Sequence, residues 1–166
     1  LDTGLMYRAA TWLVLSESIP LDDDKEMVAA TSRSKMELKT RQGIEILTVN
    51  DKDVTEKLRT RRIERAVSRV SKVQGVREAL VSHQRQIASE GPIVMVGRDV
   101  GTVVLIDAPL KIYLDASLDV RAYRRFCEMS QNGNTVTLEQ IKADIIRRDR
   151  IDSDRAYSPL RLAKDA

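Results

Sequence analysis

The chain has 166 residues, 28 lysines and arginines against 25 aspartates and glutamates, and a net charge of +3. So even a balance does not suit a long nucleic acid, which calls for a broad basic field; it suits an anionic small molecule held by clustered arginines. The single cysteine, Cys127, excludes an internal disulfide and has no His or Cys partner at metal-ligand spacing. It fits a reducing, cytoplasmic compartment, and no apolar run approaches the ~20 residues of a membrane span.

Leu5, Met6, Ala9, Ala10, Leu13 and Val14 recur at helical spacing, which predicts a helix over 4–17 that Ile19-Pro20 stops. Asp22 to Thr31 reads as a second short helix. From 34 to 54 the period changes to two. Met36 and Leu38 alternate with Glu37 and Lys39, Ile44 and Ile46 flank Glu45, and the polar Thr40-Arg41-Gln42-Gly43 lies between, which is a hairpin. Asn50-Asp51 is another turn, and Val54 belongs to a third short strand. Two helices follow. Ile63, Val67 and Val70 mark one stripe; Val76, Leu80, His83 and Ile87 mark the other, with Gln74-Gly75 as the break and Glu90-Gly91-Pro92 as the end.

Ile93 to Val96 reads as a buried strand, and Lys111 to Asp115 as a second. Between them stands Gly97-Arg98-Asp99-Val100-Gly101-Thr102-Val103-Val104. An Arg-Asp pair at the carboxyl end of a strand lies where open α/β sheets place ligands. Arginine offers a planar fork for phosphate, aspartate offers two acceptors, and Gly101 admits close approach to the backbone. An ion pair closing a tight turn explains the same spacing. Leu118 to Met129 and Leu138 to Ile151 read as helices around a polar loop, Gln131 to Asn134. Only two core strands, with a start at Leu1 and a polar end at Ala166, imply an α/β domain cut at both ends.

Several short runs converge on one family: Leu1-Asp2-Thr3-Gly4 with Tyr7-Arg8; Val76-Arg77-Glu78-Ala79-Leu80; Gly97 to Val104 with Asp107-Ala108-Pro109; Lys111-Ile112-Tyr113-Leu114-Asp115-Ala116; and Arg148 to Arg155 followed by Ser158-Pro159-Leu160. In this order and spacing, and across nearly the whole chain, they closely resemble bacterial cytidylate kinases, which belong to the P-loop nucleoside monophosphate kinases. The resemblance implies an α/β fold: a three-layer parallel-sheet core, a small nucleotide-binding insert and a helical lid, with the core incomplete in this chain. It divides the chain into partial core at 1–32 and 92–166, including a lid at about 131–157, and a monophosphate-binding insert at 33–91. It implies ATP-dependent phosphorylation of CMP and dCMP to CDP and dCDP, with ATP as co-substrate, Mg2+ as cofactor, and a monomer as the working form. The departure is the phosphate loop. No G-x-x-x-x-G-K-[ST] occurs in the 166 residues, and the strand, loop and helix start that would carry it need roughly 30 residues upstream. The ATP side of the site is therefore expected to lie mostly outside this chain, which leaves the chain alone short of its ATP cradle.

Thr3 reads as a helix N-cap and Arg8 lies one to two turns in, an arrangement that favours a phosphate but that a plain cap with a solvated arginine also explains. The resemblance implies that Thr3 and Arg8 hold the CMP phosphate with Arg98. It places Ser68, Arg77 and Asp99 around cytosine, where a carboxylate suits the C4 amino group and an arginine suits N3 and O2. Uracil would present like-signed partners to both. For Ser68 a solvated helix position, and for Arg77 a surface ion pair with Glu78 or carboxylates near Asp53, are the structural alternatives.

Arg148, Asp152 and Arg155 stand at i, i+4 and i+7, one face of a continuous helix, which a salt-bridged solvated face also explains. The resemblance makes Arg148 and Arg155, with Arg98, the catalytic cations and gives the ribose to Asp152. His83 reads as a satisfied interface residue and Trp12 as packing. Arg59, Arg61, Arg62, Arg65, Arg69 and Lys72 form a basic run that reads as a solvated face, and the family usually carries an acidic residue where Arg62 stands. Two other functions remain open on sequence: a CMP-binding protein that transfers nothing, and an RNA-binding module built on the basic 59–72 helix.

Overall fold

Helix α1 spans Thr3–Ser16, and the residues at helical spacing, Met6, Ala9, Ala10, Leu13 and Val14, are all buried. Its N-cap is Asp2, whose carboxylate accepts from the Gly4 N–H at 2.8 Å. Thr3 is thus the first helical residue and not the cap: a carboxylate one position earlier reaches the free N–H groups better. Two hydroxyls buried on helices are satisfied locally, Thr11 by the Tyr7 carbonyl and Thr31 by that of Met27, both at 2.8 Å. Helix α2 spans Asp24–Arg33. It begins two residues later than the sequence pattern indicates, because the Asp23 side chain caps it by accepting from the Glu26 N–H at 3.0 Å.

This computed structural model describes residues 1–41, 44–131 and 136–166, which form two compact units, Leu1–Ile106 and Asp107–Ala166. In the first unit β1 (Met36–Arg41), β2 (Ile44–Val49) and β3 (Lys52–Asp53) make an antiparallel sheet in the order β1-β2-β3, with Met36 opposite Val49 and Leu38 opposite Leu47. Gln42 and Gly43 of the expected turn lie outside the described residues. Asn50 and Asp51 both have positive φ, 49° and 61°, as a two-residue hairpin turn requires. Val54 lies just past β3 rather than in it; its N–H still bonds the Leu47 carbonyl at 3.0 Å, and its side chain joins Leu47, Val49 and Leu58 in the core under α1.

Helices α3 (Arg61–Val70) and α4 (Gln74–Ser89) close this core. The break between them falls at 71–73, and Gly75 sits inside the first turn of α4. A Cβ on Gly75 would lie 2.7 Å from Val28 Cγ2, so the glycine permits α4 to approach α2 closely. Val76 and Leu80 are buried as expected, but the stripe continues through Gln84 and not His83. The four-residue step keeps 76, 80 and 84 on one face, whereas 83 turns toward its margin.

The two expected core strands are not regular strands. Asp2 and Val96 form an isolated parallel bridge, supported by Val96 N–H to the Leu1 carbonyl and Thr3 N–H to the Val96 carbonyl, both 2.9 Å. Val94 is 80% exposed, and segment 111–115 has no strand pairing, with Leu114 89% exposed. A strand exists only where neighbours take its N–H and C=O groups. Among the described residues 94–96 has a neighbour on one side and 111–115 has none. The parallel-sheet core is accordingly incomplete.

The second unit pairs α5 (Leu118–Gln131) with α6 (Leu138–Asp154), burying Ala122 and Ile141. A capping box starts α6: the Thr137 hydroxyl accepts from Gln140 N–H, and the Gln140 side chain accepts from Thr137 N–H. Arg121 on α5 bonds Asp149 on α6 at 2.6 Å. Residues 132–134 of the expected polar loop lie outside the described residues.

Candidate functional site

In the first unit, the turn after Val96 and the buried face of α4 come together. Arg77 is 3% exposed and Asp99 4%, and they form an ion pair across 22 residues of chain. Burying two charges is tolerable only when they are paired and further bonded. Arg77 meets that condition with a bond to the Ser71 carbonyl at 3.2 Å and by lying 4.9 Å over the Tyr7 ring. Its Nε is buried and has no hydrogen-bond partner among the described residues. Arg77 is therefore not the surface ion pair that Glu78 or the acids near Asp53 would have made.

Gly97 and Thr3 fix the approach of this turn to α1. The Thr3 hydroxyl donates to the Val96 carbonyl at 3.1 Å, and a Cβ on Gly97 would collide with that hydroxyl and lie 2.8 Å from Val100 Cγ2. Downstream, Val100–Val104 winds into one π-helical turn, held by the Arg85 guanidinium, which donates to the Val104 carbonyl at 3.0 Å and to that of Val103 at 2.6 Å. Such turns are uncommon and recur at functional sites. Arg98 is exposed beside buried Asp99. Arg8 is half-buried, bonding the Leu58 carbonyl at 3.1 Å and facing Glu64 at 3.9 Å. Ser68 is half-buried on α3, the helix that precedes Arg77.

The cytidylate kinase family profile matches residues 1–166. A cytidylate kinase of Geobacillus sp. (strain WCH70) is 43% identical over 166 residues, which cover all of this chain and 74% of that protein. One from Streptococcus gordonii is 46% identical over 167 residues, again all of this chain and 74% of the relative. A bifunctional pantoate ligase/cytidylate kinase of Synechococcus sp. (strain JA-3-3Ab) is 44% identical over 169 residues, 31% of its length. This chain belongs to the cytidylate kinase family.

The arginine-rich segment from Arg147 to Arg155 lies in the second unit. Arg148 is half-buried and Asp152 buried on α6. Arg155 is not on the same helical face, because α6 ends at Asp154 and Arg155 is extended, with φ −67° and ψ 142°. Its side chain folds back to Asp152 at 2.9 Å and bonds the Ser158 carbonyl, while the Leu160 N–H bonds the Asp152 carbonyl at 2.8 Å. Asp152 and Arg155 thus meet through a turn rather than through helical spacing.

His83 departs from the satisfied interface residue that its stripe suggests. It is half-buried with Nδ1 unpartnered among the described residues, and burial pushes its pKa below the ordinary imidazole value. Tyr7, which carries Arg77 on its ring, is the contributor that sequence reasoning passed over; its place in the Tyr7-Arg8 run was the available signal. Among the described residues no three His, Cys, Asp or Glu side chains group to hold a metal, and no helix is long and apolar enough to cross a membrane.

Proposed function

We infer that this chain is a nucleoside monophosphate kinase, which phosphorylates CMP and dCMP with ATP to give CDP and dCDP. Family membership supports the reaction. The buried Arg77–Asp99 pair is the observation that carries the substrate reading. Asp99 accepts from the C4 amino group of cytosine, and Arg77 donates toward N3 and O2. Uracil would set a carbonyl against Asp99 and an N–H against Arg77, and the pocket rejects it by leaving both charges opposed. Ser68 completes the base site.

Thr3, Arg8 and Arg98 hold the CMP phosphate. Arg8 and Arg98 supply its charge-assisted bonds, and the Thr3 hydroxyl turns its single proton from the Val96 carbonyl, 3.1 Å away, to a phosphate oxygen. Asp152 holds the ribose, oriented by Arg155. An oxygen of the CMP phosphate attacks the γ-phosphorus of ATP, a new P–O bond forms, the bridge to the β-phosphate breaks, and ADP leaves. Arg98, Arg148 and Arg155 neutralise the charge spread over the transferred group, so catalysis is positioning and electrostatics. Magnesium bound with ATP would supply further positive charge to the phosphates; among the described residues no acidic, His or Cys cluster is placed to hold it, and these residues act on the nucleotides. Residues 33–91 serve as the monophosphate-binding insert, residues from about 131 to 157 as the lid, and the protein works as a cytoplasmic monomer.

The test is transfer of labelled γ-phosphate from ATP by the protein carrying these residues, offered CMP, dCMP, UMP or AMP. Label on CMP and dCMP, with little on UMP and AMP, is expected. Equal labelling of all four would overturn the base-reading roles, and binding of CMP without transfer would identify a holder of CMP and not a kinase.

A further inference from the structure

We propose that the groove between α1 and the start of α3 is a second ligand site, which takes a flat aromatic ring bearing a phosphate, the chemistry of a free mononucleotide. The groove measures about 310 Å³ and is walled by Trp12, Leu15, Lys57, Thr60, Arg62 and Ile63. Sites for small molecules run from about 300 to 1,000 Å³, apolar with a few placed polar groups. Here Ile63 is buried and Trp12 and Leu15 half-buried, which makes an apolar floor.

Cations stand over that floor. The Lys52 and Lys57 ammonium groups each lie 5.7 Å from the centre of the Trp12 ring, within cation–π range. The Arg62 guanidinium is tied to the wall by a long bond of 3.4 Å to the Leu15 carbonyl. Among the described residues no carboxylate pairs with Lys52, Lys57 or Arg62. Asp51 and Asp53 flank Lys52 in sequence; Asp51 faces Lys35 at 3.9 Å, and Asp53 accepts the Thr55 N–H at 2.9 Å, the main reason its pKa is held down, with the Lys57 charge a smaller cause.

Both halves of the ligand follow from this arrangement. A neutral aromatic would cover the exposed parts of Trp12 and Leu15 but give the cations no anion, and a bare phosphate would meet the cations but leave that apolar surface in water. A mononucleotide satisfies both. The site is built from α1, the turn after β3 and α3, and it shares no residue with the Arg77–Asp99 pair, so it stands or falls independently of the cytosine reading.

Trp12 is the only tryptophan, so indole emission reports the groove directly. The chain is titrated with GMP in the presence of saturating CMP, with guanosine and inorganic phosphate as partial ligands, and the titration is repeated on a Lys57→Met, Arg62→Met double variant. Both positions are exposed, and near-UV circular dichroism checks that the fold is kept. The expected result is saturable quenching by GMP that CMP does not displace. Guanosine, phosphate and the double variant should each weaken it about tenfold, the loss of one good polar contact. Quenching that never saturates, GMP displaced by CMP, phosphate binding as tightly as GMP, or an unchanged double variant would each overturn the proposal.

Discussion

Arg77 and Asp99 neutralise one another in the interior, one on the inner face of α4 and the other in the turn that follows Val96. The pair ties α4 to the turn that begins at Gly97, and Tyr7 on α1 backs it. The proposed cytosine-reading chemistry and fold stability would therefore meet at one contact.

That coupling makes single and double substitutions behave differently. Asp99→Asn leaves Arg77 buried beside a neutral amide and should cost about 3–5 kcal/mol, as the loss of one partner of a buried pair does. Arg77→Met with Asp99→Leu removes both charges and should recover most of that stability while abolishing CMP binding. Urea midpoints and a CMP titration on the same samples check both effects.

Gly97 faces the Thr3 hydroxyl and Val100 with no room for a methyl group. Gly97→Ala should destabilise the first unit by about 1–3 kcal/mol, the usual range for overpacking. Its urea midpoint should fall, and the amides at Thr3 and Val96, which share a bonded ladder, should exchange with solvent faster.

His83 gives the fold an acid-side dependence. Burial lowers its folded pKa below the unfolded value of ~6.5. The unfolded chain therefore binds the proton more readily, and stability rises with pH through this window. The His83 contribution is fully present above ~6.5 and is lost as pH falls through the lower folded pKa. Thermal midpoints of the chain and of His83→Gln should converge toward neutral pH in their slope and part on acidification, with the variant the flatter of the two.

The helices and the hairpin were legible because their signals are local. Leu13 and Val14 on α1, Ile63 and Val67 on α3, and the alternation around Leu38 each repeat within a few residues, and tertiary packing agrees with them. Three features were not legible in that way. Val94 and Leu114 look like buried strand residues, but a strand depends on neighbours that periodicity cannot supply. The place of Arg155 depends on where α6 ends, a boundary set by the extended backbone before Ser158 and Pro159. Arg77 pairing with Asp99 is a long-range event that periodicity does not show: the resemblance sets both around one base, but their direct ion pair needed the packing. The candidate site was recognisable through family resemblance, whereas Tyr7 beneath Arg77 and Arg85 behind the π-turn needed the packing to show what they do.

The most direct test of the cytosine site is calorimetric titration of the folded chain with CMP, against UMP and AMP. The Arg77–Asp99 arrangement predicts saturable heat with CMP and binding at least about tenfold weaker for UMP, a discrimination of one opposed hydrogen-bonding contact. Equal affinity for CMP and UMP, or no heat with CMP from a chain shown to be folded, would contradict the account and remove Ser68, Arg77 and Asp99 from the base site.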